Sequence, residues 1–160
     1  MALSDPLFLD KTNPELWKSL GAFSQQLTAS ARAAGISTRL TELVNLRVSQ
    51  INGCAFCLDL HIRQALAAGE TMQRISLLDV WEDTALFDET EKAALTIAEA
   101  ATELPNYEER VAALASARMV LDEKQFSVIQ WIAVSMNAFN RISILSRHPI
   151  RAREFTLGEK

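Results

Sequence analysis

The chain has 160 residues, of which 49% are hydrophobic, so it is long enough and apolar enough to bury a core. Its 16 basic and 20 acidic side chains give a formal net charge of −4, and no run of Lys or Arg could follow a phosphate backbone. These features exclude a disordered chain, argue against a nucleic-acid-binding protein, and predict a single domain over residues 1–160.

The first residues do not resemble a secretory signal. The segment from Met1 to Lys11 contains Asp5 and Asp10 and lacks an uninterrupted apolar stretch. We therefore expect a cytoplasmic protein. In a reducing compartment, a close pair of cysteines is more often catalytic or metal-binding than a structural crosslink.

Helix-forming residues fill the stretches between only five glycines and four prolines, which predicts an all-α fold of about six to seven helices. Asn13 as N-cap and Pro14 at the first helical position begin the first helix, which should end before Gly35. A second helix is predicted after Ser37, and it should end at Asn52-Gly53.

The third predicted helix carries both cysteines and runs to about Ala68, where Gly69 should stop it. A further helix is predicted over Thr71 to Trp81, followed by a short turn. Two capping-box patterns, D-E-T-E at 88–91 and D-E-K-Q at 122–125, then begin two more helices. The first of these runs to about Glu103, and a shorter helix follows over about 107–118.

The last predicted helix runs to about Ser146 and has apolar residues on nearly every face. Such a helix is either buried all round or completes its burial against another subunit. Its polar residues argue against a membrane span. These residues are Gln130, Asn137, Asn140 and Arg141.

The chain's only two cysteines lie three residues apart, with a histidine four residues after the second. At about 100° per helical residue, Cys54, Cys57 and His61 fall within an arc of roughly 60° on one helix face. Two thiols and a base on one stripe can form a thiolate, a sulfenic acid and then a disulfide. Helix electrostatics alone favour Cys54, beside the helix N-terminus, and these residues by themselves do not decide which thiol attacks.

Two other interpretations of the cysteine pair stay open. A zinc site made by Cys54, Cys57 and His61 would need a fourth ligand such as Glu42. Alternatively, both cysteines could pack as inert small hydrophobic residues. A zinc ribbon or a thioredoxin-like site is disfavoured, because the sequence has neither a second cysteine pair nor a βαβ pattern.

Several other residues have a simple structural interpretation. Taken alone, Glu42 would be a solvated carboxylate on a helix surface, and His148 would be a surface residue. Trp17, Trp81 and Trp131 are expected in the core or at an interface.

Glu42, the run N-G-C-A-F-C at 52–57, and His61 together resemble the alkylhydroperoxidase D (AhpD)-like branch of the carboxymuconolactone decarboxylase family. The resemblance continues through Trp81 and the first capping box to N-A-F-N-R at 137–141. It implies an all-α homo-oligomer, expected to be a trimer or a hexamer of trimers with the last helix in the contact.

The resemblance also implies a thiol peroxidase. Cys57 would attack the peroxide and become a sulfenic acid, and Cys54 would resolve it as a disulfide. Glu42 with His61 would move protons to and from Cys54. The implied partners are a peroxide substrate and a dithiol reductant, lipoyl or thioredoxin-like, with no metal or other cofactor. Phe56 departs from the family pattern, since the type member has a second histidine there, and this leaves the rate and the peroxide preference open.

Two functions of other kinds remain as alternatives. The same fold hosts lactone decarboxylases, although these generally lack the cysteine pair. A non-catalytic redox-sensing module would need only a reversible disulfide, and the fold does not settle the chemistry.

Overall fold

The computed structural model describes residues 5–152. Both ends of the predicted domain therefore lie outside the described residues, as do the first residues of the segment Met1 to Lys11, in which no secretory signal is expected. The described part is all-helical, which confirms the predicted fold class. Its nine helical elements exceed the predicted six to seven, because a short helix at Leu9–Thr12 was not expected and the predicted helix Thr71 to Trp81 is divided in two. Its elements in chain order are α1 (Leu9–Thr12), α2 (Pro14–Ala33), α3 (Thr38–Asn52), α4 (Ala55–Ala67), α5 (Met72–Ser76), a 3-10 helix (Leu78–Asp83), α6 (Glu89–Glu103), α7 (Tyr107–Arg118) and α8 (Glu123–Leu145).

The central helix is α3, which packs against α4, α6 and α8. One of its faces places Val44 and Val48 in an apolar cluster that also contains both cysteines and the inner faces of α6 and α8. Another face places Leu43 and Leu46 in a second cluster, with Trp81. Because apolar residues occupy more than one face of α3, this helix is enclosed by its neighbours and supports the cysteine motif at its end.

The predicted helix boundaries are largely confirmed. Ser37 caps α3 by accepting from the Leu40 amide at 3.1 Å. Both predicted capping boxes are formed, at the starts of α6 and α8. Asn13 occupies the N-cap position of α2 but makes no side-chain capping hydrogen bond, so Pro14 is the effective signal at that helix start.

One predicted helix, Thr71 to Trp81, is wrong as a single element. It is divided into α5 and the 3-10 helix, and Val80 inside the latter has φ −123° and ψ 34°. Leu78 and Trp81, on the two sides of this kink at Val80, both enter the second cluster. The Trp81 indole N–H also donates to Glu99 at 2.8 Å, which holds this irregular segment against α6.

Helix α8 is not buried all round within one chain. Trp131, Val134 and Leu145 are 52%, 51% and 69% exposed, although Ile129, Ala133 and Asn140 on the same helix are fully buried. Of the two expectations for this helix, burial within its own chain is therefore wrong. No helix in the described part of the chain combines the length and apolarity that crossing a bilayer requires.

Candidate active site

The cysteine motif lies at the junction of α3 and α4. Gly53 ends α3 with φ 66°, a left-handed conformation that glycine adopts at little cost. The Cys54 amide donates to the Ser49 carbonyl at 3.0 Å, which closes this turn. Cys54 is then the N-cap of α4, where its Sγ accepts from the Cys57 amide at 3.3 Å.

The two cysteines are joined as a disulfide, with their Cα atoms 5.3 Å apart. Both are buried, Cys54 at 1% exposure and Cys57 at 3%. The structure therefore represents the oxidised form, in which neither sulfur is a thiolate. Within residues 5–152, no group of three or more His, Cys, Asp and Glu side chains is arranged to hold a metal ion.

Glu42 on α3 and His61 on α4 form a close pair. Nδ1 of His61 donates to Oε2 of Glu42 at 2.6 Å, and both side chains are largely buried, 12% and 9% exposed. Asn45 contacts the other carboxylate oxygen at 3.5 Å. The interpretation of Glu42 as a solvated carboxylate is wrong, since it orients the imidazole and leaves Nε2 as the ring nitrogen available for proton exchange.

An open cavity of about 1110 Å³ adjoins this pair. Glu42, His61 and Cys57 all line the cavity, whereas Cys54 does not. Most of the remaining wall is apolar and comes from α2, α4 and α8. These apolar residues include Leu27, Phe56, Leu60, Ile132, Met136 and Phe139.

The arginine in the cavity wall, Arg39, is compensated by acidic neighbours. Arg39 lines the cavity and lies 3.6 Å from Glu91 and 3.9 Å from Glu70. Arg74 binds the same two carboxylates, and although burial by itself lowers the pKa of Arg74, the hydrogen bonds and charges of Glu91 and Glu70 raise it overall. The positive charge of Arg39 is therefore balanced within the protein.

His148 is not the surface residue that the sequence suggests. Its ring stacks on Phe8 with centroids 5.6 Å apart and contacts Phe56 at 5.1 Å. Its Nε2 lies 3.1 Å from Asp10, and its Nδ1 lies 3.4 Å from the Ser143 hydroxyl. Phe56 occupies the position where the type member of the family has a second histidine. In this chain an imidazole lies beside that position, because His148 from the segment after α8 packs against Phe56.

The tryptophans divide between core and surface. Trp81 is buried, as expected, whereas Trp17 and Trp131 are 39% and 52% exposed. Trp17 meets Phe139 edge-on at 5.6 Å and also lines the cavity.

Other cavity residues were not identifiable as a group from the sequence. Asn45 could have been predicted as a neighbour of Glu42, because residues three apart on a helix lie on the same face. Phe139 had none, because a helix with apolar residues on most faces does not reveal which of them line a cavity.

The chain is similar to known proteins in sequence and in fold. Residues 14–100, which include all four candidate site residues, match the model of the carboxymuconolactone decarboxylase family. The uncharacterised protein YdfG of Bacillus subtilis is 38% identical over 113 residues, covering 71% of this chain and 77% of YdfG. A crystal structure of a protein of unknown function from Agrobacterium tumefaciens, described as a candidate antioxidant defence protein AhpD, is similar with a TM-score of 0.82 and 27% identity, covering 94% of this chain and 100% of that one.

Proposed function

Because the chain belongs to the carboxymuconolactone decarboxylase family and has an AhpD-like fold, we propose that it is a thiol peroxidase that reduces organic hydroperoxides. One observation carries the proposal: Cys57, half of a C-x-x-C disulfide, lines a cavity together with the hydrogen-bonded pair of His61 and Glu42. The antioxidant description of the Agrobacterium relative supports the same function.

The first step is attack of the Cys57 thiolate on the terminal oxygen of the hydroperoxide. His61 takes the thiol proton, and Glu42 stabilises the imidazolium that forms. The O–O bond breaks, Cys57 becomes a sulfenic acid, and the proton returns from His61 to the departing alkoxide to give an alcohol. The peroxide is reduced by two electrons, and the sulfur is oxidised by two.

The second step closes the disulfide and the third reopens it. The Cys54 thiol attacks the Cys57 sulfenic acid and releases water. One thiolate of a dithiol reductant, lipoyl or thioredoxin-like, then attacks the Cys57 sulfur, which lines the cavity, and expels the Cys54 thiolate. The second thiol of the reductant attacks the resulting mixed disulfide, which releases the Cys57 thiolate and leaves the reductant as a disulfide. The N-terminus of α4 and the Cys57 amide lie beside the Cys54 sulfur and stabilise it as the leaving thiolate. This favours attack of the reductant on Cys57 rather than on Cys54.

The size and character of the cavity favour an organic substrate. Cavities for drug-sized ligands measure roughly 300–1,000 Å³. The volume of about 1110 Å³ beside Cys57 exceeds what hydrogen peroxide occupies, and its wall is mainly apolar. An alkyl or aryl group on the peroxide would bury its surface there, at about 25 cal/mol per Å² of apolar surface.

The test is a peroxidase assay with cumene hydroperoxide and hydrogen peroxide, using dihydrolipoamide and then a thioredoxin system as reductant. Wild-type protein should turn over, with a higher kcat/KM for cumene hydroperoxide. Cys57→Ser should fall to the uncatalysed rate, because an alcohol is not appreciably ionised. Cys54→Ser, the matched control, should consume one equivalent of peroxide and accumulate a sulfenic acid on Cys57, detected by intact mass with a dimedone label.

Other results would point elsewhere. Retained turnover in Cys57→Ser, with the label on Cys54, would reverse the assignment of the two thiols. Reversible disulfide formation without turnover with either reductant would favour a redox-sensing module. Decarboxylation of an aromatic-catabolite lactone without peroxide reduction would favour the other enzyme class in the family.

A further inference from the structure

A group of polar side chains joins the end of α3 to α8 directly behind the turn that carries Cys54. The central member is Asn140 on α8, which is 0% exposed, and it contacts Ser49, also 0% exposed. Neither residue lines the cavity beside Cys57. Fully buried amides and hydroxyls are costly to leave unpaired, so their hydrogen bonds impose a definite geometry on the chain.

Asn140 is hydrogen-bonded to two residues at the C-terminal end of α3, just before the turn. Its Nδ2 donates to Oγ of Ser49 at 3.1 Å, and its Oδ1 accepts from Nδ2 of Asn52 at 3.0 Å. Ser49 is the residue whose carbonyl accepts from the Cys54 amide, and Asn52 is the last residue of α3. One buried amide group thus contacts both the residue whose carbonyl binds the Cys54 amide and the last residue of α3.

The network extends to the surface and to α6. Asn52 Nδ2 also donates to Oδ1 of Asn137 at 2.9 Å, and Arg141 donates to that same oxygen at 2.9 Å. Asn137 Nδ2 donates to Thr102 Oγ1 at 3.0 Å. Asn137 on α8 is therefore connected both to α6, through Thr102, and to α3, through Asn52, which lies two positions before Cys54.

We propose that Asn140, acting through Asn52 and Ser49, is a positioning residue for the Cys54–Cys57 couple. The proposal rests on the proposed function in one respect, that the couple cycles between dithiol and disulfide. In the reduced protein no disulfide fixes the Cys54 side chain against Cys57, so hydrogen bonds to the turn contribute more to its conformation. A preorganised turn raises the effective concentration of one thiol at the other and so favours the disulfide.

The reaction to be measured is exchange with dithiothreitol and needs no peroxide. The reduced protein gives two electrons and two protons from Cys54 and Cys57 to oxidised dithiothreitol. The protein disulfide forms, the cyclic disulfide of the reagent breaks, and reduced dithiothreitol is released. The equilibrium constant follows from the oxidised fraction, read by acid quench, alkylation and intact mass.

In Asn140→Ala, we expect the equilibrium constant for disulfide formation to fall by about tenfold, because the turn samples more conformations in the reduced state. Asn52→Ala should shift the constant in the same direction, and because Asn52 is only half-buried, this variant serves if Asn140→Ala fails to fold. The control is Leu78→Ala in the second apolar cluster. This variant loses stability only because it loses apolar packing, so its equilibrium constant for disulfide formation should equal that of the wild type.

The proposal is overturned if the folded Asn140→Ala and Asn52→Ala variants keep the wild-type equilibrium constant, or if Leu78→Ala shifts it as much as they do. These outcomes are separate from the fate of the proposed function. A wild-type protein that reduces no peroxide would defeat the peroxidase proposal but would still give a measurable thiol–disulfide equilibrium.

Discussion

Glu42 is a carboxylate in a mainly apolar wall, and its contact with His61 compensates for its burial. An isolated charge at such a position would be strongly destabilising, so the carboxylate and the imidazole depend on each other for their place in the structure. Since the Glu42 bond fixes the ring, the remaining nitrogen has a defined direction. This is the arrangement that general acid–base catalysis requires.

The Glu42→Gln substitution tests whether the negative charge of Glu42 is needed for proton transfer by His61. Glutamine keeps the size of the side chain and much of its hydrogen bonding but removes the charge that stabilises an imidazolium. We expect peroxide turnover to fall on the order of 10²- to 10⁴-fold, with an altered pH profile, while the melting temperature changes little. Steady-state kinetics over a pH series, with thermal melts, would measure both.

Glu103→Gln at the exposed end of α6 is the matched control and should behave as wild type in both measurements. Wild-type turnover with an unchanged pH profile in folded Glu42→Gln would reduce Glu42 to a structural carboxylate. His61 would then be the only supported base.

At the scale of elements, the two ends of the described chain hold each other. The short helix α1 is too short to be stable alone, and it is docked by its Leu9 amide, which donates to the Ser146 hydroxyl at 3.0 Å. Asp10 on the same helix pairs with His148, whose ring contacts both Phe8 and Phe56. The segment after α8 thereby contacts the cysteine motif through Phe56.

Replacing His148 should loosen this contact in two separable ways. His148→Ala loses both the aromatic contacts and the polar contacts with Asp10 and Ser143, and we expect a loss of about 1–3 kcal/mol in the free energy of unfolding. His148→Phe keeps the aromatic contacts and should lose less. Urea denaturation of both variants would measure the difference, and wild-type stability in His148→Ala would show that this contact contributes nothing.

At the scale of the whole molecule, α8 presents an unusual outer surface. Trp131, Val134 and Leu145 lie within an arc of about 60° along this helix and are each at least half exposed. Large apolar side chains in one stripe are typical of an interface between protein chains. We therefore keep the proposal that the protein forms a homo-oligomer, a trimer or a hexamer of trimers, through this helix.

Light scattering at micromolar concentration should give the mass of three or six chains. Trp131→Glu should lower the mass toward that of a monomer, because a buried unpaired charge in the contact opposes assembly. Met119→Glu, at a residue 88% exposed beyond the end of α7, is the control and should leave the mass unchanged. A monomeric wild-type mass would contradict the proposal.

Features that depend on neighbours in the sequence could be predicted without a structure. Both capping boxes, the Ser37 cap and the end of α3 at Gly53 follow from side-chain and backbone preferences acting over three or four residues. The C-x-x-C spacing places two sulfurs within bonding reach for the same reason. These local interactions are why the fold class and the position of the motif could be predicted.

Features that depend on distant residues were decided only by the tertiary structure. Glu42 and His61 are 19 residues apart, and their hydrogen bond exists because α3 and α4 pack together. The place of His148 against Phe56, and the presence of Cys57 rather than Cys54 in the cavity wall, depend on how remote elements meet. Local preference does not encode such contacts, because burial and packing against distant side chains override it.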